Sequence, residues 1–465
     1  WREPAGEGHI AVTHAFTQET IGEVPNGNGE DVEQAVQAAR AAFPAWADQP
    51  VQARGALLHR LREQLAERAD ELARTISAEV GTPLKISRRI QVGLPLETLR
   101  ITQDILRSFQ FETPLDHSVV RREAIGVVAC ITPWNYPLHQ VVSKVAPALA
   151  AGCTVVLKPS AVAPLSAFVL AEEIAKAGFP PGVFNLVMGR GAQVGEALAS
   201  HPEVDMVSFT GSTGAGQQIS RSAAGTIKRL SLELGGKSAS VVLPGADLGS
   251  AVKSNVNSCF LNAGQTCNAL TRMLVPRQDY AAAVAVAAAT AASFVAGDPA
   301  DDKVKFGPLA TAAQRDNVLR YIRQGLESGA ELVCGGLEPP AGVTTGFFVQ
   351  PTIFGKVDPA SAIAQEEIFG PVLSIICYDT QEQAIAIANG TPFGLAAAVW
   401  AATDDEARAV ARQLRAGQVD INGGAFNARA PFGGYKQSGN GRELGVAGFE
   451  EFLETKAMQF RVTPA

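Results

Sequence analysis

The sequence has little charge of one sign, few cysteines and no long run of large apolar residues. Its 465 residues carry 39 Lys and Arg against 46 Asp and Glu, which gives a net charge of −7. A chain without a basic field is not expected to bind nucleic acid or an anionic membrane. The longest apolar run, from Ala281 to Ala292, is mostly alanine and is shorter than the ~20 residues that a bilayer span needs. We therefore interpret it as a helix.

The cysteine pattern excludes two further classes of protein. Six cysteines, at positions 130, 153, 259, 267, 334 and 377, show no C-x-x-C spacing. They are too sparse for a disulfide scaffold and predict no metal site. A reducing cytoplasm fits this usage best. The chain begins at Trp1 without a signal-peptide pattern, so we expect residues to be missing before it.

Helical periodicity dominates the first hundred residues. Apolar residues recur at three- and four-residue spacing from Glu30 to about Arg88, and a further helical stretch continues to about Arg107. Between Phe109 and Val128 the pattern changes to short β-branched runs separated by charged residues. This change predicts a hairpin-like excursion.

Short apolar runs alternate with helical stretches in the rest of the chain, which indicates βαβ units around parallel sheets and so an α/β fold. The first block has predicted strands at Val127–Ile131, Thr154–Leu157, Val183–Val187 and Met206–Phe209, and helices at Ala163–Ala177 and Ala192–Ala199. The second block has predicted strands at Met273–Val275, Phe347–Val349 and Val372–Tyr378, and helices at Tyr280–Phe294, Thr311–Ser328, Glu382–Ala388 and Asp404–Leu414. Leu453 to Val462 is predicted as a last, exposed strand that needs a partner edge.

Polar and glycine-rich turns follow the predicted strands of the first block. In a parallel sheet, ligands bind at the carboxyl ends of the strands. The turn from Thr210 to Gly216 contains three glycines and leads into a helix near Thr213, whose free N–H groups suit a pyrophosphate. The alternative is a glycine-rich helix start that binds no ligand.

Two side chains are candidates for chemistry. Cys267 follows Gly264-Gln265-Thr266, a small and polar run that keeps a thiol accessible, and as a nucleophile it needs surroundings that lower its pKa. Cys259, beside Phe260, is expected to pack inside. Glu233 lies among leucines, where a carboxylate has a raised pKa and acts as a general base near neutral pH. The alternative for Glu233 is a carboxylate that caps or pairs with a nearby donor.

Seven motifs, in order along nearly the whole chain, together resemble the aldehyde dehydrogenase superfamily. They are Pro133-Trp134-Asn135-Tyr136-Pro137, Lys158-Pro159-Ser160, Phe209-Thr210-Gly211-Ser212-Thr213-Gly214, Leu232-Glu233-Leu234-Gly235-Gly236-Lys237, Gly264-Gln265-Thr266-Cys267, Glu367-Ile368-Phe369-Gly370-Pro371-Val372, and Pro431-Phe432-Gly433-Gly434-Tyr435-Lys436-Gln437-Ser438-Gly439. The resemblance implies a Rossmann-like NAD(P)-binding domain (1–107 and 126–234), an α/β catalytic domain (235–440) and a β-arm for oligomerisation (108–125 and 441–465). We expect a homodimer or homotetramer.

The resemblance also implies a mechanism. Cys267 attacks the aldehyde, and the Asn135 amide and the Cys267 backbone N–H hold the oxyanion of the thiohemiacetal. Hydride transfer to the nicotinamide leaves a thioester, and Glu233 activates the water that hydrolyses it. Lys144 and Glu443 match positions associated with proton handling.

For the cofactor, the resemblance assigns Lys158 to the adenosine ribose, Ser212 to the phosphates, Glu367 to the nicotinamide ribose and Phe369 to the nicotinamide. The further cofactor-binding positions are Ile131, Trp134, Ser160, Ala161, Gly211, Gly216, Leu234 and Gln314. Ala161 departs from the pattern, because many relatives carry there a glutamate that repels the 2′-phosphate of NADP. We therefore expect NAD, slightly favoured, or NADP.

The positions that match the substrate tunnel of relatives are Tyr136, His139, Gln140, Ser143, Thr266, Asn268 and Phe426. Ser143 is small where some relatives have tryptophan, which predicts a roomy tunnel for an aryl or medium-chain aldehyde. Arg429 leaves a semialdehyde as an alternative substrate. Two other classes stay open: an acylating enzyme that transfers the thioester to coenzyme A, which Glu233 argues against, and a nucleotide-binding protein without turnover.

Overall fold

The computed structural model describes residues 2–461. Its helices carry the labels α1 to α16. They are α1 Gly29–Ala47, α2 Val51–Glu67, α3 Ala69–Val80, α4 Leu84–Ile86, α5 Gly93–Ser108, α6 Pro137–Ala151, α7 Leu165–Ala177, α8 Glu196–Ser200, α9 Thr213–Ala223, α10 Leu248–Phe260, α11 Tyr280–Ala291, α12 Ala312–Glu327, α13 Ala362–Gln365, α14 Gln381–Asn389, α15 Asp404–Ala411 and α16 Gly445–Glu450. Two π-helical turns, Ser87–Val92 and Gly191–Gly195, precede α5 and α8. No helix in this described part is long and apolar enough to span a bilayer.

The strands carry the labels β1 to β20. They are β1 His9–Thr13, β2 Thr20–Pro25, β3 Glu112–Leu115, β4 Ser118–Ala124, β5 Val127–Ile131, β6 Thr154–Lys158, β7 Phe184–Leu186, β8 Met206–Thr210, β9 Arg229–Glu233, β10 Ala239–Val242, β11 Arg272–Pro276, β12 Glu331–Cys334, β13 Thr352–Gly355, β14 Val372–Tyr378, β15 Phe393–Gly394, β16 Ala396–Trp400, β17 Gln418–Ile421, β18 Tyr435–Lys436, β19 Gly439–Asn440 and β20 Leu453–Gln459. Two large sheets and a three-stranded sheet contain most of them. The predicted α/β fold is confirmed.

The first large sheet has the strand order β19-β9-β8-β5-β6-β7. Strands β5 to β9 run parallel, and only β19 is antiparallel to its neighbour. The chain order reverses between β5 and β8, which makes their carboxyl ends the crevice where ligands bind in open α/β sheets.

Successive side chains of each strand point to opposite faces of this sheet, and both faces are buried. Val128 and Cys130 of β5 pack into a core with helices α2, α3, α5, α6 and α7. Val127 and Ile131, one residue out of phase, pack on the opposite face with α1 and α9. Because both faces are covered, the strands are continuously apolar rather than alternating with polar residues.

The second large sheet has the order β12-β13-β14-β11-β10-β16-β17, and only β12 is antiparallel. The three-stranded antiparallel sheet, with the order β20-β4-β3, combines the predicted hairpin with the last strand. Strand β20 ends at Gln459, and Val462, included in the predicted strand, lies outside the described residues.

The prediction of a strand at Phe347–Val349 is wrong. This segment is irregular, and the strand follows it at Thr352–Gly355. Phe348 and Val349 are buried by side-chain packing, Phe348 against the ring of Phe16, without joining the sheet ladder. The sequence prediction also missed the β1–β2 hairpin, and it extended α11 and α15 by three residues each.

Candidate active site

Cys267 lies in the loop between α10 and β11, after a tight turn. Asn262, Ala263 and Gly264 have φ values of 52°, 54° and 76°, so three successive residues are left-handed. A Cβ on Gly264 would overlap with the carbonyl group of Gly370. Glycine is therefore required here, both for its conformation and for the close approach of the next loop.

The surroundings of Cys267 are apolar and acidic. The thiol packs against a cluster formed by Leu395, Phe432 and Leu444. Burial, followed by the carboxylate of Glu233, raises the pKa of this thiol, and a hydrogen bond from the backbone N–H of Asn268 partly opposes the shift. The expectation that the surroundings lower its pKa is wrong, because the cluster removes water and the carboxylates of Glu233, Glu367 and Glu443 disfavour the thiolate.

Glu233 ends β9 as a buried carboxylate. Neither oxygen has a hydrogen-bond partner among the described residues. A Cβ on Gly433 would lie 2.6 Å from Oε1, so that glycine leaves room for the carboxylate. Burial, and then the charge of Glu443, raise the pKa of Glu233 well above its usual value. A carboxylate with a raised pKa is a stronger base than an ordinary glutamate. The alternative of a carboxylate that caps or pairs is not what the structure shows.

Gly235 and Gly236 bring the two large sheets together beside Glu233. A Cβ on Gly235 would overlap with the carboxylate of Glu367, and one on Gly236 would lie 2.9 Å from the carbonyl oxygen of Cys267. The N–H of Gly236 donates to Oε1 of Glu367 at 3.2 Å. Burial raises the pKa of Glu367 to about 7.

Lys144 and Glu443 form a buried ion pair. Lys144 is on α6, and Glu443 is held by reciprocal backbone hydrogen bonds of 2.7 Å with Phe432. The hydroxyl of Thr210 also donates to Glu443, at 3.5 Å. The two predicted proton-handling residues are thus in contact, and the charge of Glu443 acts on Glu233.

The ends of β5 and β6 present a buried cation. Ile131 and Lys158 are paired neighbours in the sheet. The Lys158 ammonium donates to the carbonyl of Pro159 at 2.9 Å and has no carboxylate partner among the described residues. Burial lowers its pKa to about 8. Ser160 and Ala161 follow in the loop before α7, both partly buried, so four predicted cofactor residues lie together at this edge.

The end of β8 leads directly into α9. Ser212 is the N-cap, and its hydroxyl accepts from the N–H of Ala215 at 3.3 Å. Side chains at Gly211 and Gly216 would overlap with Phe209 and Leu234 respectively. Glycine at both positions keeps the helix N-terminus close to β8 and β9, where its free N–H groups attract an anion.

Two aromatic rings flank the crevice between the large sheets. Trp134 and Phe369 are edge to face, with centroids 5.6 Å apart. Phe369 is left-handed, with φ 58°, and its carbonyl accepts from the Gln314 amide at 3.0 Å. The side-chain amide of Gln314 therefore holds the loop that contains Phe369.

One face of α6 and its preceding turn carries the predicted tunnel residues Tyr136, His139, Gln140 and Ser143. The Tyr136 hydroxyl is 2.8 Å from that of Thr266, which links this face to the cysteine loop. Burial lowers the pKa of His139 to about 4, so this side chain is neutral. The Ser143 hydroxyl donates to the His139 carbonyl at 2.8 Å.

The outer end of the predicted tunnel is less enclosed. Phe426 is 43% exposed and contacts Phe432 edge to face at 6.1 Å. Arg429, the residue that left a semialdehyde possible, donates to Asp104 at 2.6 Å. Asp104 also pairs with Arg100 and Arg107, so Arg429 shares this one carboxylate with two other guanidinium groups.

The structure adds residues that the sequence reasoning did not single out. Phe432 and Leu444 surround the cysteine, and Gly433 makes room for Glu233. Phe432 and Gly433 lie inside a quoted motif, so that motif contained the signal. Leu444 has φ 64° and ψ 160°, a conformation otherwise nearly confined to glycine, and its sequence gives no sign of this.

Comparison with known proteins agrees with this geometry. Residues 1–458 match the aldehyde dehydrogenase family. A 3-succinoylsemialdehyde-pyridine dehydrogenase of Pseudomonas is 48% identical, over 98% of this chain and 96% of its own. A cysteine-to-alanine variant of aldehyde dehydrogenase C from Pseudomonas syringae, in complex with NAD+ and octanal, is 48% identical with a TM-score of 0.99, over 100% of this chain and 96% of its own.

A Mycobacterium tuberculosis aldehyde dehydrogenase in complex with NAD+ is 42% identical, with a TM-score of 0.97 over 100% of this chain and 97% of its own. The predicted family, fold class, activity and NAD(P) cofactor are confirmed. This chain belongs to the aldehyde dehydrogenase family and is an NAD(P)-dependent enzyme that oxidises aldehydes to carboxylic acids through a cysteine thioester.

Proposed function

We propose that this enzyme oxidises apolar medium-chain or aromatic aldehydes, with Cys267 as nucleophile and Glu233 as the base of hydrolysis. The observation that carries the proposal is Glu233 itself, a buried carboxylate that accepts no hydrogen bond from any described residue and raises the pKa of the Cys267 thiol. A transfer to coenzyme A needs no such base. A protein without turnover has no use for a buried, unpaired carboxylate, which costs stability.

The residues act in two stages. The Cys267 thiol loses its proton to solvent water, and the thiolate attacks the aldehyde carbon, while the Asn135 amide and the Cys267 backbone N–H donate to the oxyanion. Each such donor is typically worth ~2.7–4 kcal/mol. NAD(P)+, when bound, accepts the hydride. Glu233 then takes a proton from a water molecule as its oxygen attacks the thioester carbon. The C–S bond breaks, the carboxylic acid is released and the Cys267 thiolate is regenerated, and Lys144 with Glu443 passes the proton from Glu233 outward.

The cofactor-binding residues fit a dinucleotide. The strand order reverses between β5 and β8, and the Lys158 ammonium and the Ser212-capped helix both favour negative charge there. We propose that Ile131, Lys158, Ser160 and Ala161 contact the adenosine side, that Gly211, Ser212 and Gly216 contact the phosphates, and that Trp134, Leu234, Gln314, Glu367 and Phe369 surround the nicotinamide side.

Ala161→Glu is expected to weaken NADP binding. If residue 161 faces the 2′-position of the ribose, the new carboxylate lies near a phosphate, and like charges about 4 Å apart repel by roughly 4 kcal/mol at an effective dielectric near 20. Solvent reduces this repulsion to about a quarter to a half, so we expect the Kd for NADP to rise roughly tenfold. NAD should hold or improve, because the carboxylate accepts from the ribose hydroxyls.

Fluorescence titration with each dinucleotide measures this effect, together with kcat/KM for both. Ala161→Gln is the matched control, since it adds the same bulk without the charge. An NADP to NAD ratio that is equal in the two variants would show that residue 161 does not face the ribose.

The substrate class follows from the α6 face. A small cavity, partly open to solvent, is lined by Ser143, Thr102 and Ile105 and reaches Leu444, which packs beside Cys267. We propose that Tyr136, His139, Gln140, Ser143, Thr266, Asn268 and Phe426 line the aldehyde's path. His139 is neutral, and Arg429 shares Asp104 with Arg100 and Arg107. None of the seven proposed path residues is Lys or Arg, so the path itself favours an uncharged aldehyde.

An aldehyde panel tests this function. We expect octanal and benzaldehyde to exceed succinic semialdehyde in kcat/KM by at least about tenfold, with the free acid as product even when coenzyme A is present. Ser143→Trp should lower kcat/KM for octanal by about tenfold or more and spare acetaldehyde, because it fills the cavity. A preference for the semialdehyde, or an acyl-coenzyme A product, contradicts the proposal.

The three-stranded sheet supports a homodimer or homotetramer. Strands β3 and β20 form its two outer edges, and Leu115 and Phe460 beside them are 58% and 57% exposed. Open strand edges with apolar neighbours favour pairing between copies. Light scattering at micromolar concentration should give at least twice the mass of one chain, and the mass of one chain would contradict this.

The six free cysteines support a reducing compartment, the cytoplasm.

A further inference from the structure

A buried polar network connects the cysteine loop to Asn135. It consists of Thr82, Gln91, Asn135, Asn262 and Gln265, all buried. These residues come from three distant segments: the turn after α3 with the following π-helical turn, the turn after β5, and the loop that leads to Cys267. We call this set the Asn262 network.

Asn262 makes contacts with each part of the network. Its amide nitrogen donates to the carbonyl oxygens of Asn135 at 3.1 Å and Gln265 at 3.4 Å. Its side-chain oxygen accepts from the Thr82 hydroxyl at 2.5 Å. Its own carbonyl accepts from the Gln265 amide at 3.1 Å. Both polar groups of the side chain are therefore used.

Gln91 also donates to the backbone carbonyl of Asn135. Its amide donates to the carbonyl of Asn135 at 2.9 Å and to the hydroxyl of Thr82 at 3.1 Å. The backbone carbonyl of Asn135 thus accepts from two side-chain amides. Such buried networks fix one arrangement, because every broken bond leaves a polar group without water.

The network also restricts the Asn135 side chain. One amide N–H of Asn135 donates to the carbonyl of Gln265 at 3.0 Å, which leaves the other N–H for a ligand oxygen. Gln265 is two residues before Cys267, and its side-chain oxygen accepts from the N–H of Ala310 at 2.9 Å. The direction of the free N–H is therefore fixed relative to the cysteine loop.

The backbone at Asn262 is in an unfavourable left-handed conformation, and the hydrogen bonds of the Asn262 network stabilise it. Asn262 and Ala263 are both left-handed, and left-handed residues other than glycine cost about 1–2 kcal/mol each. Strained conformations persist where the surroundings over-determine them, and they concentrate at functional sites. Four hydrogen bonds to one asparagine side chain and its carbonyl supply that constraint.

We propose that Asn262 is a positioning residue for the oxyanion site: it holds the Asn135 amide in line with the Cys267 sulfur. This inference rests on the proposed roles of Asn135 and Cys267. Asn262 does not touch the reacting atoms and acts through Asn135, with Thr82 and Gln91 holding Asn262 and the Asn135 carbonyl.

A double-mutant cycle on the full-length enzyme with NAD tests this inference. Asn262→Gly keeps the left-handed backbone and removes the side chain. Rapid mixing with octanal gives the rate of the first hydride transfer, and iodoacetamide gives the alkylation rate of Cys267, which requires no oxyanion donor. We expect Asn135→Ala to slow hydride transfer about 10²–10³-fold. Asn262→Gly should slow it at least about tenfold, with alkylation within about threefold.

The double variant decides whether Asn262 acts through Asn135. We expect it to be no slower than Asn135→Ala alone, since two residues that act through one donor are not additive. Losses that multiply, or equal losses in hydride transfer and alkylation, would overturn the positioning role. If Asn135→Ala itself has no effect, the proposed roles fail instead, which separates the two failures.

Thr82→Val provides the test if Asn262→Gly does not fold. Valine keeps the shape of threonine and removes the hydroxyl donor to Asn262. We expect hydride transfer to slow about three- to tenfold, and Thr82→Ser, which keeps the hydroxyl, to restore it to within about twofold. Equal rates in the valine and serine variants would overturn the inference.

Discussion

Cys267→Ala is expected to abolish aldehyde oxidation, with kcat/KM lower by on the order of 10⁴-fold or more. Alanine cannot form the covalent intermediate, and no other described cysteine packs in the cluster of Leu395, Phe432 and Leu444. Dinucleotide binding should persist, because the Lys158 and Ser212 side chains lie at the ends of other strands. Steady-state assays and fluorescence titration measure the two properties separately.

Cys259→Ala is the matched control for this variant. Cys259 is buried in a separate core beside Phe260 and Met273, and burial raises the pKa of its thiol. We expect this control to cost some stability through a small cavity and to keep turnover. Turnover of the Cys267 variant within tenfold of wild type would refute the nucleophile assignment.

Glu233→Gln is expected to separate the two stages of the reaction. Glutamine keeps the shape of the side chain and removes the base, so the first hydride transfer should stay within a few-fold of wild type. Loss of the negative charge also removes one of the influences that raise the pKa of Cys267, which favours attack. Thioester hydrolysis should slow by about 10²–10⁴-fold, the usual contribution of a general base.

Rapid mixing should therefore show a burst of one equivalent of reduced cofactor per site, followed by little turnover. The raised pKa of Glu233 also predicts how hydrolysis by the wild-type enzyme depends on pH. Because the pKa of Glu233 is raised, its base form is lost as the pH falls through that raised value, so hydrolysis should weaken at a higher pH than it would with an ordinary glutamate. Equal slowing of both phases, or of neither, means that Glu233 is not the hydrolytic base.

The sequence predicted well what depends on local pattern. The strands β5, β6 and β8 coincide with short apolar runs. Lys158 at the end of β6, and Asn135 and Ser212 in the turns after β5 and β8, lie at one edge because parallel strands share their carboxyl end. The burial and raised pKa of Glu233 were likewise foreseeable from its leucine neighbours.

Properties that arise from distant segments were not predictable. The raised pKa of Cys267 comes from Leu395, Phe432 and Leu444, which are more than a hundred residues away in sequence. Phe347–Val349 has the composition of a strand, but tertiary packing buries it without a ladder. Gln91 lies in a helical run with no local sign that its amide reaches Asn135.

Trapping the acyl-enzyme tests the central claim most directly. The Glu233→Gln variant, mixed with NAD and octanal and quenched in acid, is digested, and its peptides are weighed by mass spectrometry. The account predicts one octanoyl group on the peptide that contains Cys267, absent without NAD. An octanoyl group on another residue, or none during a burst of reduced cofactor, would contradict it.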